Sequence, residues 1–146
     1  MAYKISKVDV WAADIVNKPG MLARVLEAVS NAGAKLEFMI ARKASDTTSR
    51  VFISPIKGKK VKQAAQDVGL VPAQGMHTLC VEAPDRPGLG AEITRAVAAQ
   101  GINLRGASAA AAGKKAMIYL AFDNAEDSEK AVKVVKKAMK GGKKGK

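Results

Sequence analysis

The sequence predicts an α+β chain made of two consecutive, related units, each an antiparallel sheet with its helices on one face. Three observations carry this. First, the chain repeats itself: Asp14–Leu36 aligns without a gap on Glu82–Leu104. Pro19 falls on Pro87, Gly20 on Gly88, Val25 on Ile93, Val29 on Val97, Gly33 on Gly101 and Leu36 on Leu104. A period this long suits two small domains and not a solenoid. Second, the apolar spacing in each half switches from period 2 to period 3.6 and back, in the order strand, helix, strand, strand, helix. Third, the chain has 146 residues, 48% of them hydrophobic and 26% charged. That is enough for a buried core but only about 70 residues per unit, a marginal size alone.

In the first half a strand is expected over Lys4–Ala13, with Val8 and Val10 on one face. A helix follows, because Leu22, Val25, Leu26 and Val29 recur at i, i+3, i+4, i+7. Gly33 ends it, since glycine takes the left-handed conformation beyond a helix without a Cβ clash. Leu36, Phe38 and Ile40 alternate, a polar turn covers Ser45–Ser49, and Val51 and Ile53 alternate again, which reads as a hairpin. A second helix over Lys59–Val68 presents Val61, Ala64, Ala65 and Val68, and a short edge strand near Leu70–Gln74 tolerates Pro72.

The second half begins near Ala73–Met76, where the copies join. His77–Glu82 is a strand; Leu89, Ile93, Ala96 and Val97 make the helix; Gly101 stops it. Ile102 and Leu104 open the next strand, Gly113–Lys115 turns, and Met117–Phe122 returns. The last helix, Glu126–Lys140, has acids in its first turn and lysines in its last, which suits the helix dipole. Glu126 with Lys130 and Glu129 with Lys133 are favourable i, i+4 pairs. Gly141 is expected to end this helix, and Gly141–Lys146, with no apolar residue, to form a flexible tail. The order is therefore βαββαβ over residues 1–75 and βαββα over residues 76–140. The second unit lacks its last strand, and the long first strand of the chain is the candidate to cover the open edge.

Composition excludes several functions. One cysteine, Cys80, permits no intramolecular disulfide and no multi-cysteine metal site. One histidine, His77, permits no paired-histidine zinc site, and its odd offset from Cys80 puts the two on opposite strand faces. Asp123, Glu126 and Asp127 read as a helix start and not as a metal cluster. Trp11, Met39 and Met117 read as packing residues, and the small side chains of Ala107–Ala112 carry no chemistry but allow another chain to approach. No triad, phosphate loop or metal set is visible, so no catalytic residue, metal or cofactor is expected. No apolar run approaches the ~20 residues of a membrane span and no signal-peptide core is present, so a cytoplasmic protein is expected. Twenty-five basic residues against thirteen acids give +12. Eight lysines lie between Lys130 and Lys146; the other seventeen basic residues leave only +4 against the same acids. The basicity belongs to the C-terminal end, which makes an RNA or other nucleic-acid contact the alternative function.

The informative chemistry lies in two turns, Asn17-Lys18-Pro19-Gly20 and Asp85-Arg86-Pro87-Gly88. Proline presets the helix start and glycine lets a ligand approach the backbone. The N–H groups of Gly20, Met21 and Leu22, or of Gly88, Leu89 and Gly90, then point outward at the positive end of a helix, a receptor for a carboxylate. Asn17 and Asp85 stand where a side chain reaches a bound polar group.

Strand, [ND]-[KR]-P-G, helix, glycine, strand in a ferredoxin-like βαββαβ frame resembles the ACT domain, a small regulatory module that binds amino acids. The stretch DRPGLGAEITRAVAAQGINL is the clearer match, and the resemblance covers about Lys4–Lys140. It implies a non-catalytic sensor of a small-molecule effector, an α-amino acid, held where two such domains or subunits meet. It further implies a homodimer or higher oligomer and a separate regulated enzyme. The implied ligand positions are Asn17, Lys18, Pro19, Gly20 and Met21 in the first copy. In the second they are Asp85, Arg86, Pro87, Gly88, Leu89 and Asn103. Lys35 stands where the second copy has Asn103, and Gly90 opens space beside the turn.

Overall fold

A computed structural model describes residues 3–144. The strands are β1 (Lys4–Val8), β2 (Trp11–Val16), β3 (Phe38–Lys43), β4 (Thr48–Ser54), β5 (Val71–Pro72), β6 (His77–Pro84), β7 (Gly106–Ala112) and β8 (Lys115–Phe122). The helices are α1 (Met21–Asn31), α2 (Lys59–Asp67), α3 (Leu89–Ala98) and α4 (Ala125–Lys144). They divide between two compact units, Asp9–Gln74 and Met1–Val8 with Gly75–Lys146.

In the unit Asp9–Gln74 the sheet order is β3-β4-β2-β5, all antiparallel. Strand alternation sends Trp11 and Ala13 of β2 and Val51 and Ile53 of β4 into one core. They meet Val25 and Val29 of α1 and Val61 and Ala65 of α2, the positions that helical periodicity singles out.

In the other unit the order is β1-β6-β8-β7. Leu79, Val81 and Ala83 of β6 and Ile118, Leu120 and Phe122 of β8 face Leu89, Ile93 and Val97 of α3 and Ala131, Val135 and Met139 of α4. The strand this half lacks at its own end is supplied by β1. It runs antiparallel to β6 from Lys4↔Glu82 to Val8↔Thr78 and packs Tyr3 and Ile5 against the same core.

Three sequence expectations change here. The single strand over Lys4–Ala13 is two strands in two sheets, β1 and β2, separated by Asp9 and Val10. Residues 3–8 of the expected first unit, 1–75, thus pack with the later half. The paired strands after α1 and α3 begin later than expected, at Phe38 and Gly106, so Leu36, Ile102 and Leu104 precede them. Gly141 does not end α4, which runs on to Lys144; the rest of the expected flexible tail, Gly145 and Lys146, lies outside the described residues. Gly33 and Gly101 do take positive φ, 105° and 72°, just beyond α1 and α3. Asn124 is the cap of α4, its Oδ1 accepting a 2.8 Å bond from the Asp127 N–H, and Glu126 pairs with Lys130 at 3.2 Å. Among the described residues no helix is long and apolar enough to cross a membrane.

Candidate functional site

The two Pro-Gly turns have the same backbone. Gly20 has φ 89° and ψ −14°, and Gly88 has φ 85° and ψ −1°. These are the angles a type II turn needs at its third residue, with proline before it. The Met21 N–H donates to the Lys18 carbonyl at 3.4 Å, and the Leu89 N–H to the Arg86 carbonyl at 3.3 Å. The glycine carbonyls then accept the first helical bonds, from Arg24 at 3.0 Å and Glu92 at 2.9 Å. This corrects the expectation that three amides point outward: those of Met21 and Leu89 are folded back into the turn. The Gly90 N–H stays in the first helical turn, where no intrahelical acceptor exists.

The side chains of the two turns differ. Asn17 is tied to the β3–β4 hairpin: its Nδ2 donates to the Asp46 carbonyl at 3.3 Å and its Oδ1 accepts from Ser49 Oγ at 3.1 Å. Its own N–H donates to the Thr47 carbonyl at 2.8 Å. Lys18 is exposed, with no acidic partner among the described residues. The second turn reverses this. Arg86 is held by Glu92 at 2.5 Å in a part-buried ion pair, while the exposed carboxylate of Asp85 has no side-chain partner among the described residues. Only the Asp85 N–H is engaged, by the Lys114 carbonyl at 2.8 Å. Pro19, Pro87, Gly20 and Gly88 are exposed, Met21 is half-buried, and Leu89 is buried in the core, so its side chain supports the turn from below.

Each turn borders a groove. Beside Asn17 and Lys18 a small one of about 190 Å³ also takes in Arg42, Lys43 and Ser49. Beside Asp85 a wider one of about 830 Å³ is bounded by Tyr3, Lys4, Glu82, Lys114 and Lys115, with Lys115 paired to Glu82 at 3.3 Å. Sequence reasoning missed Tyr3 and Lys4 because they reach this unit only through β1. It missed Glu92 because its six-residue offset from Arg86 crosses a turn and matches no helical spacing. In sequence Lys114 is legible only as part of the turn Gly113–Lys115.

Asn103 and Lys35 do not join these turns within their own units. Pro84 of β6 is level with Lys115 of β8, whereas Gly106 of β7 is level with Ala121. Asp85 follows Pro84 and Asn103 precedes Gly106, so they stand at opposite ends of the sheet, about 25 Å apart for a strand of this length. Lys35 likewise precedes Phe38, level with Ser54, while Asn17 follows Val16, level with Thr48. Both residues are exposed, and Gly90 is an exposed helical position with open space around it. Among the described residues no group of three or more His, Cys, Asp or Glu is placed to hold a metal ion.

Duplicated ferredoxin-like units, each with a Pro-Gly helix start beside an open groove, define the chain as a two-unit α+β protein of small-module type. The family model of the ACT domain matches residues 77–138. The match lies within the later unit, and Asp9–Gln74 repeats the strand and helix order of that stretch. No curated protein matches the sequence. Among solved structures, a protein from Bacteroides thetaiotaomicron is similar with a TM-score of 0.77 and 16% identity, over 91% of this chain and 89% of its own. The ligand-free regulatory subunit of aspartate kinase from Thermus thermophilus gives 0.68 and 16%, over 94% and 97%. The corresponding subunit from Thermus flavus gives 0.57 and 20%, over 94% and 95%. At these identities the likeness is one of fold.

Proposed function

We propose that this chain is a non-catalytic regulatory module whose ACT domain takes a small α-amino acid as effector and signals its presence to a separate enzyme. The fold it shares with regulatory subunits of aspartate kinase supports a regulatory role over a catalytic one. The observation that carries the reading is Asp85: an exposed carboxylate with no side-chain partner, beside a helix start whose glycine turn admits close approach. It accepts the effector's α-ammonium, while the Gly90 amide and the positive end of α3 take the α-carboxylate. Asn103 lies too far away to serve the same site from its own unit, so it serves from a second copy. The route for that copy is β7, an edge strand of sequence GASAAAA that is mostly exposed. Its small side chains leave the outer backbone edge open to pair with another β7. The effector then sits between two copies of the chain, and a homodimer is the working form. The first turn, with Asn17 tied down and Lys18 free, presents the opposite charge and does not hold the ligand in this way.

Titration calorimetry with the twenty amino acids identifies the effector. Asp85→Ala and Asn103→Ala should each weaken it by about 1–3 kcal/mol, because a bound polar group loses its partner. Mixing the two variant chains then decides the geometry. A mixed dimer has one of its two sites with both residues intact, and an equimolar mixture holds about half its chains as mixed dimers, so about a quarter of all sites recover. Binding that stays lost in the mixture refutes the shared site; unchanged affinity in both single variants refutes the assignment of these residues.

A further inference from the structure

The exposed face of α4 answers to neither turn. At 100° per residue, Lys130, Lys133, Lys136, Lys137 and Lys140 fall within an arc about 120° wide, while Ala131, Val135 and Met139 point into the core from the other side. All five lysines are exposed. Lys130 is paired with Glu126, but Lys133, Lys136, Lys137 and Lys140 have no acidic partner among the described residues. Three more lysines follow before the end of the sequence, and no acid interrupts the run after Glu129.

We infer that this ridge docks on the phosphate backbone of a nucleic-acid duplex, without reading its sequence. Lys130 to Lys140 spans about 15 Å along the helix, a length over which a B-form duplex carries about nine phosphate charges. A rigid row of cations meets no denser partner. A protein partner fits poorly, because protein interfaces are built on aromatic and apolar centres and are depleted in lysine. Insertion into a membrane is closed off, since the apolar stripe of α4 is already buried in its own unit. Single strands fit poorly as well, because no aromatic residue lies on α4 to stack a base. The contact therefore positions the protein by charge alone.

The test is fluorescence anisotropy of the full chain with labelled DNA and RNA duplexes of unrelated sequence, about 25 base pairs long, across salt concentrations. Four phosphate contacts give a slope of about −3.6 in log K against log salt, so affinity should fall about 150-fold between roughly 50 and 200 mM. Replacing Lys133, Lys136, Lys137 and Lys140 by Gln should remove most of the binding and nearly all of that slope. Protection of Cys80, which lies in the same unit as α4, and the melting temperature check that the variant is folded; should it fail, the pairs Lys133→Gln with Lys137→Gln and Lys136→Gln with Lys140→Gln should each remove about half the slope. Tighter binding to phosphatidylserine vesicles or to single strands than to duplexes overturns the proposal. So does an unchanged slope in the Gln variant, or no duplex binding at the lowest salt.

Discussion

Deleting residues 1–8 should unfold the unit that β1 completes and spare the unit Asp9–Gln74. The strand contributes five register pairs with β6. Taking roughly one hydrogen bond per pair at about 1 kcal/mol net gives about 5 kcal/mol. Half-burial of Tyr3 and Ile5 against the core adds about 1 kcal/mol each. A unit of this size has a total stability of about 4–12 kcal/mol, so the loss is half of it or all of it. Two native probes read the two units separately. Trp11, the single tryptophan, is 7% exposed in the core of Asp9–Gln74, so its emission in urea follows that unit. Cys80, the single cysteine, is 5% exposed on β6 and lies opposite Ser6 of β1, so its reaction with a thiol reagent follows the other. In the chain beginning at Asp9, Cys80 should react at once without denaturant, while Trp11 keeps its own cooperative transition. Attaching Tyr3–Val8 behind Lys144 through a flexible linker should restore protection, because β1 occupies the position of a last strand. A truncated chain whose Cys80 stays as protected as in the full chain would falsify the assignment of β1 to this sheet's stability.

Three further outcomes are expected. Gly88→Ala should cost about 1–2 kcal/mol in thermal melts, because φ is 85° there although nothing crowds the new Cβ, whereas Gly90→Ala, helical and uncrowded, should gain about 0.5–1 kcal/mol. A double-mutant cycle on Arg86→Ala and Glu92→Ala should give a coupling of about 0.5–1 kcal/mol; no coupling would mean the pair does not form in solution. Asn17→Ala should lower stability by about 1 kcal/mol, measured by urea denaturation followed at Trp11, and leave effector affinity unchanged, because its polar atoms serve the β3–β4 hairpin.

What could be read from sequence was local or repeated. Helical spacing marked Val25, Val29, Ile93 and Val97, which the structure buries, because an amphipathic helix has only one face it can turn to a core. The Pro-Gly turns were legible because proline and glycine restrict the backbone by themselves, whatever surrounds them. The recurrence of these features at one offset gave two units and the strand order within each. Tertiary pairing alone decided the rest. Nothing between Val8 and Trp11 marks a break, because a strand's residues look alike whichever sheet they join; only hydrogen bonding to β6 or β4 assigns them. Glycine at 141 is compatible with either a helix end or a helix interior at a cost of about 1 kcal/mol, so its conformation is set by what the chain does around it. Asp85 and Asn103 are eighteen residues apart in sequence yet stand at opposite ends of one sheet, because α3 carries the chain back along the full length of β6 before β7 begins. Which charge of each turn is free depends on partners in other elements, Glu92 for Arg86 and the β3–β4 hairpin for Asn17. Those contacts exist only once the strands and helices have packed.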